Sequence, residues 1–367
     1  MTDDDTGDVK AKLRTKAKRP KPVAGAKLLS SGSTLLDLGC SGSPRGAYAK
    51  GQYIFFVGDS DSGKTWYSMT LFAEAARNKK FDDYDFIYDP AEGGAQMDIE
   101  YYFGEDVADR LQAPQENEDG DGVASAFVED FYINLDRRLD SGVPCIYVLD
   151  SMDALNPRIA DEKFEDDRDA IEAGKETGGT YGTDKAKLNS NNLRRVIPKL
   201  RETGSILVII SQTRDNIGFG AQYNPKTRGG GRALKFYADI EIWTSVKGGI
   251  AKTVRKKKRH VGNLSLCKVK RSRLTGRKAE VIVPFYHEHG IDDVGSCIEY
   301  LIDEGHWTKP KGKKVFEAPE FEFTGQEEKL IQLIEEEGRE RELKILVGTV
   351  WKEVLEASRV KRKRRYE

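Results

Sequence analysis

The chain has 367 residues, 38% of them hydrophobic, and a formal net charge of −1, which suits one large globular domain plus a smaller one and excludes a disordered or fibrous chain. No run approaches the roughly eighteen consecutive apolar residues of a membrane-spanning helix, and the start MTDDDTGDVK lacks the apolar stretch of a secretory leader. Four scattered cysteines without a Cys-x-x-Cys pair give neither a disulfide framework nor a zinc knuckle, so a cytoplasmic protein with no membrane partner is expected.

Residues 1–27 hold few apolar positions and many Lys and Arg, and predict a basic flexible arm. An apolar start, LLSSGSTLLDLGC, follows. The run Tyr53 to Val57 predicts a strand leading into GDSDSGKT, residues 58–65, which opens a helix near Lys64. This strand-loop-helix order is the context that a phosphate-cradling Gly-x4-Gly-Lys-Thr pattern requires. Gly58 and Gly63 permit backbone angles that a side chain would obstruct, and the N–H groups of Asp59, Ser60, Asp61 and Ser62 converge on phosphate oxygens. Lys64 reaches the terminal phosphates, the Thr65 hydroxyl ligates Mg²⁺, and Trp66 belongs to the same nucleotide site. The implied ligands are ATP and Mg²⁺.

A second strand, Asp85 to Tyr88, precedes Glu92 in DFIYDPAEGG, where a carboxylate can polarise a water attacking the γ-phosphate; a loop glutamate is otherwise only solvated. The third strand, Cys145 to Leu149, ends at Asp150. A carboxylate there can accept from a metal-bound water across the sheet from Thr65, or can equally cap a helix. Helical residues Leu188 to Arg201 lead to a fourth strand, Ile206 to Ile210. Short, wholly apolar strands alternating with helices predict a doubly wound, mostly parallel α/β sheet covered on both faces.

After Gln212 comes TRDNIGFGAQYNPKTRGGGRAL, a long loop mixing Arg214, Lys226, Arg228 and Arg232 with Phe219, Tyr223 and the glycines Gly229, Gly230 and Gly231. Cations suit a phosphate backbone, aromatic tips stack on bases, and glycines let the segment order on binding. The runs Ile240 to Thr244, Leu264 to Val269 and Glu280 to Phe285 extend the sheet, with the basic VRKKKRH, residues 254–260, in a hairpin connection between the first two. Beyond about residue 290 three amphipathic stretches, DDVGSCIEYLIDEG, GQEEKLIQLIEEEG and ELKILVGTVWKEVLEA, predict a small C-terminal helical domain over 291–367. A Lys/Pro/Gly-rich linker, Thr308 to Phe323, separates the first two. In the last, Leu343, Leu346, Val347, Val350 and Leu355 form one apolar stripe. The basic tail RVKRKRRYE follows, suited to duplex DNA or to an acidic partner.

The order SSGSTLLDLGCSGSPRGAYAKGQYIFFVGDSDSGKT, the carboxylate after the second strand, YVLDS, IISQTRDNIG and GGGRALKFYA closely resembles the RecA recombinase family, in particular phage members of the UvsX kind, over about Leu28 to Gly290. The resemblance implies a RecA-like P-loop ATPase core over residues 28–290. It makes Glu92 the catalytic glutamate, with Asp89-Pro90-Ala91-Glu92 standing where the family has Asp-Ala-Glu, and makes Gln212 the sensor that passes the state of the γ-phosphate to DNA. Asp98 and Tyr101 match the family's acid and adenine-stacking tyrosine, with Tyr102 an equal candidate. The loop after Gln212 matches the second DNA-binding loop, and roughly Asn156 to Asp184 the first, whose acidic DEKFEDDRD is expected to point away from DNA. The family's Lys-x-Lys falls on Arg271-Ser272-Arg273, cations given to a neighbour's ATP, and Phe236 resembles an interface aromatic.

The implied function is an ATP-dependent DNA recombinase that forms head-to-tail filaments on single-stranded DNA and pairs them with duplex DNA, with a single-strand-binding protein or loader as a further partner. The alternative is a hexameric RecA-fold DNA helicase or motor ATPase. If the chain is phage-encoded, its compartment is the bacterial host cytoplasm.

Overall fold

In the strands of the central sheet both faces are covered, and that is why their sequences are apolar without alternation. The computed structural model describes residue 23 and residues 27–93, 97–173, 183–215, 226–310 and 312–363; most of the arm 1–27, together with Phe219 and Tyr223, lies outside these. Strands β1 (Tyr53–Gly58), β2 (Asp85–Asp89), β3 (Leu111–Gln112), β4 (Cys145–Leu149) and β5 (Ile206–Asp215) are parallel, in the order β3-β2-β4-β5-β1. The short β6 (Lys226–Arg228) returns antiparallel along β5, and β7 (Ile240–Val254) pairs parallel with β1 through Thr244. Beyond it β8 (Lys257–Ser272), β9 (Ala279–Tyr286) and β10 (Gly290–Ile291) complete the sheet in antiparallel fashion.

Alternate residues of one strand feed two cores. Ile54 and Phe56 join α1 (Thr34–Ser41) and α2 (Lys64–Ala76) on one face, while Tyr53, Phe55 and Val57 meet α3 (Val128–Asp140) and, after α4 (Arg158–Glu172), α5 (Asp184–Thr203) and α6 (Arg232–Tyr237) on the other. Helix α4 buries none of its residues. It occupies the acidic part of the stretch read as the first DNA-binding loop, of which residues 174–182 are outside the description.

Strands β7 and β8 run on to a two-residue turn, Arg255–Lys256, so VRKKKRH lies in the hairpin connection expected for it, and one other connection carries more structure than expected. The linker after Thr308 contains a hairpin, β11 (Val315–Ala318) with β12 (Phe323–Gln326); buried Phe316 and Ala318 alternate with exposed Val315 and Glu317, a period-two signal that the Lys/Pro/Gly composition masks.

Helices α7 (Asp293–Asp303), α8 (Glu327–Glu336) and α9 (Glu340–Ala357) form where the amphipathic stretches place them. Leu343, Val347 and Val350 are buried, and Leu346 packs beside them. Together with Trp307 and Phe316 they join the same apolar cluster as α1 and α2. An ionic bond ties the layers. Asp293 accepts from the Thr34 N–H at 2.6 Å and the Thr34 hydroxyl at 2.9 Å, and meets Lys344 Nζ at 3.0 Å. Burial disfavours the Lys344 charge, but Asp293 outweighs it and raises the pKa.

Replacing Lys344 by Met should lower the unfolding free energy in urea by roughly 2 kcal/mol, less than the 3–5 of a fully buried pair, because the lysine side chain is 31% exposed. Adding Asp293→Asn should recover part of the loss, since the uncompensated carboxylate causes much of it; an unchanged midpoint in Lys344→Met would show that the bond does not hold α9.

Candidate functional site

Strand β1 ends in the middle of the sheet, between Thr244 of β7 and Gln212 of β5. A Cβ on Gly58 would stand 2.0 Å from Thr244 Oγ1, so only glycine lets the loop leave the strand there. Gly63 takes φ 90° to open α2, a conformation that costs other residues energy. The loop is braced from within: the Ser62 hydroxyl donates to Asp59 O at 2.7 Å, and the Ser265 hydroxyl to Ser62 O at 2.8 Å. Lys64 folds over it, Nζ donating to Gly58 O at 3.1 Å and Asp59 O at 2.6 Å. Burial pulls its pKa down, against the carboxylates of Asp150, Glu92, Asp59 and Asp61. A half-buried ammonium bonded to two main-chain carbonyls is poised to exchange them for a stronger, charged acceptor.

Asp150 follows β4 and accepts from the Thr65 hydroxyl at 2.8 Å and the Tyr88 hydroxyl at 3.1 Å. Burial raises its pKa, with the Thr65 bond acting against the rise. Among the described residues no group of three or more His, Cys, Asp or Glu side chains converges on one point. The protein therefore offers a hydroxyl and a carboxylate oxygen, a donor set that fits Mg²⁺ completed by water and phosphate. Across from this pair the turn Asp89–Gly93 folds back despite its proline, and the Glu92 N–H bonds Asp150 O at 3.0 Å. The Glu92 carboxylate accepts from the Ser151 hydroxyl and, at 2.9 Å, from Gln212 Nε2.

Gln212 is thereby the joint between the turn Asp89–Gly93 and the long loop that follows β5. Asp153 anchors that root, accepting from the Gln212 N–H at 2.8 Å, the Ser211 hydroxyl and Arg214 Nη2 at 3.3 Å. Asp59 of the phosphate loop holds both ends of the long loop, Thr213 on the way out and Lys226 Nζ, at 2.5 Å, on the way back. Burial works against ionisation of Asp59, yet these two partners outweigh it and keep the carboxyl below its ordinary range. Asn189 Nδ2 donates to Gly230 O at 2.9 Å, and Gly231 takes φ 85° before Arg232 opens α6. Arg214, Lys226, Gly229, Gly230 and Arg232 thus gather around one sheet edge; the Arg228 side chain is outside the described residues.

Beside the phosphate loop lies a cavity of about 640 Å³, lined by Ser60, Lys64, Trp66, Asn263, Phe285 and His287 among others. Trp66 packs edge-on against Tyr102, ring centres 5.1 Å apart, whereas Tyr101 is 66% exposed. Asp98 accepts from the Tyr101 N–H at 3.0 Å as a helix cap. Of the two tyrosines, Tyr102 is the one against the helix that follows the phosphate loop.

Arg271 and Arg273 stand elsewhere. Arg271 pairs in register with Glu241 near the start of β7, and its guanidinium donates to Lys235 O at 2.7 Å and Phe236 O at 2.9 Å; Arg273 donates to Phe236 O at 3.0 Å. Thr244, beside Gly58, is three residues further along β7, about 10 Å at strand spacing. The arginines and exposed Phe236 mark the sheet edge opposite the phosphate loop.

Asp153 and Phe285 escape a reading of the sequence. Asp153 is one polar residue in a post-strand loop, and Phe285 reads as strand core. The only signal for Asp153 is its spacing of three from Asp150.

A family model described as the RecA N-terminal domain matches residues 19–292. Protein RecA of Streptococcus pneumoniae strains Hungary19A-6 and CGSP14, and of serotype 19F strain G54, is 27% identical to this chain over 305 residues, covering 80% of this chain and 69% of each relative.

Lys64→Ala removes the half-buried ammonium and leaves the backbone cradle. It should weaken binding of a fluorescent ATP analogue at least tenfold, on the order of 1.5–3 kcal/mol for a bond to a charged group, with the melting temperature of the free protein little changed. Undiminished binding would move the phosphate site away from this loop.

Proposed function

The chain belongs to the RecA family, and on that footing we propose that it binds ATP between consecutive subunits of a head-to-tail filament, Gly58–Thr65 of one subunit facing Arg271 and Arg273 of the next. Members of the family are DNA-dependent ATPases that promote strand exchange, and the chain is an ATP-dependent DNA recombinase of this kind. The hexameric motor reading has no observation in its favour. Among the described residues no helix is long and apolar enough to cross a membrane.

Placement on opposite sheet edges supports the shared site. Within one subunit the Arg271 guanidinium meets main-chain carbonyls of α6 and is remote from its own phosphate loop. A heterologous contact repeated along an axis brings one edge onto the other and does not close on itself unless the rotation does. A cation reaching the phosphates from a neighbour then stabilises charge in the transition state.

In this proposal Lys64 exchanges its loop carbonyls for the terminal phosphates, and Thr65 with Asp150 holds Mg²⁺, which when bound neutralises phosphate charge. Glu92 orients and polarises the attacking water. Trp66 and Tyr102 flank the base, with Asp98 and Tyr101 beside them. The loop bounded by Arg214 and Arg232 contacts single-stranded DNA, and the tail from Arg359 docks an acidic partner such as a single-strand-binding protein's tail or a loader. The observation that carries the reading is the 2.9 Å bond from Gln212 to Glu92. A γ-phosphate that competes for the Gln212 amide changes the position of the strand end from which the DNA loop departs, a two-state element read by both ligands.

Three variants test it. Glu92→Gln should bind ATP and single-stranded DNA but turn over at least a hundredfold more slowly, since general-base catalysis contributes about 10²–10⁴; wild-type turnover would move the role to another residue. Arg271→Ala/Arg273→Ala and Lys64→Ala should each be inactive alone. Mixed one to one on single-stranded DNA they should regain about a quarter of wild-type ATPase, the fraction of interfaces with both halves intact in a heterologous polymer. No recovery at any ratio would rule out a site shared between subunits.

A further inference from the structure

Strands β7 and β8 outrun the sheet. Strand β1 covers β7 only as far as Thr244, and β9 covers β8 only from Gly262 onward. From Ala251, paired with His260, to the turn the two strands have only each other, a ribbon about 13 Å long at strand spacing. Residues 251–260 are all exposed. Two strands alone are marginal in water, and the composition makes matters worse. Lys252 and the run Arg255 to Arg259 supply six cations, while residues 249–260 contain no Asp or Glu. Lys252 stands directly opposite Arg259, a like-charge pair that destabilises a hairpin. Among the described residues none of the six meets a carboxylate.

The turn adds a second cost. Arg255 and Lys256 adopt φ 50° and 63°, the left-handed region that two-residue hairpin turns require and that Asn-Gly fills with least strain. Cations stand at the tip where local stability would select other residues. Backbone strain and unopposed repulsion at one place point to a ligand that relieves both.

We propose that this ribbon is a duplex-DNA arm, its cations bonding the phosphates that border a groove. A two-stranded ribbon fits the major groove of B-form DNA, and cations along both strands match phosphates on both sides of it. Single strands are held largely by stacking on aromatic rings, and residues 247–259 include no aromatic residue, so the arm is unlike the loop between Arg214 and Arg232. Its root is beside the nucleotide: His260 lines the cavity at the phosphate loop and lies 3.0 Å from Asn263 Oδ1, its ring 5.2 Å from that of His287. The arm leaves the sheet on the same edge as the strand β5 that leads into the single-strand loop, with β1 between them. The inference rests on the chain being a DNA recombinase.

The test is the full chain with Lys252→Gln, Arg255→Asn, Lys256→Gly, Lys257→Gln, Lys258→Gln and Arg259→Gln, which keeps a favourable turn and removes the charge. Filaments assembled on single-stranded DNA with a non-hydrolysed ATP analogue are titrated with a labelled duplex over a series of salt concentrations. Duplex affinity should fall at least tenfold, and the slope of log affinity against log salt should flatten by about three or more, near 0.9 per lost phosphate contact. ATPase stimulated by single-stranded DNA should remain within about twofold of wild type. An unchanged affinity and slope overturns the proposal. So does an equal loss of single-strand binding, which makes the ribbon part of the primary site, and so does intact duplex capture with lost binding of an acidic peptide, which makes the occupant a protein. If wild-type ATPase does not respond to DNA at all, the recombinase reading itself fails, a result distinct from these.

Discussion

The Glu92 carboxylate can face an attacking water or accept from Gln212, and the account of this molecule turns on that competition. The bond is of ordinary length, lies between a strand end and a turn, and joins side chains 120 residues apart. Its strength depends on the buried charges around it. Lys64 and Asp150 both resist ionisation through burial, so the site in its free form is a cluster of charges satisfied by hydroxyls and main-chain carbonyls. In the proposed function ATP with Mg²⁺ would replace those partners with stronger ones. Asp59 extends the same logic: it belongs to the phosphate loop, yet it holds Thr213 and Lys226 at the two roots of the long loop after β5. Two separate contacts thus connect the phosphate loop and the turn of Glu92 to the segment proposed to meet DNA.

The sheet sets the distances over which such coupling can work. Parallel strands place every loop that leaves β1, β4 and β5 on one edge, and Arg271, Arg273 and Phe236 fall on the other. In the function proposed above, a subunit built this way holds half of a catalytic site at each end. In that proposal polymerisation is a requirement of the chemistry, because the cations that stabilise phosphate charge would come from the next copy.

Much of this was legible in the sequence, for physical reasons that differ from place to place. Tyr53 to Val57 and Cys145 to Leu149 are apolar throughout because two cores claim alternate residues, and that pattern fixes strand and class together. GDSDSGKT is legible because phosphate binding demands glycines and a lysine at set spacing. Glu92 was harder, since a proline alters its turn, and only the fold shows that the chain doubles back onto Asp150. The hairpin over 315–326 was hidden by a composition that mimics a linker, whereas VRKKKRH between two strand runs was legible as a hairpin connection. Asp153 offered only its spacing from Asp150, because its importance comes from three partners that lie 58–61 residues further along the chain.

The most direct measurement of the central claim is the coupling between nucleotide and DNA in Gln212→Met, which keeps the length of the side chain and removes its amide. Affinity for single-stranded DNA would be measured with and without a non-hydrolysed ATP analogue, and affinity for the analogue with and without DNA, since the two effects must be equal in a linked equilibrium. The account predicts that each ligand still binds but that the mutual enhancement of the wild type collapses to within about twofold of none. Enhancement as large in the variant as in the wild type would contradict it, and would leave the bond between Gln212 and Glu92 without a part in the switch.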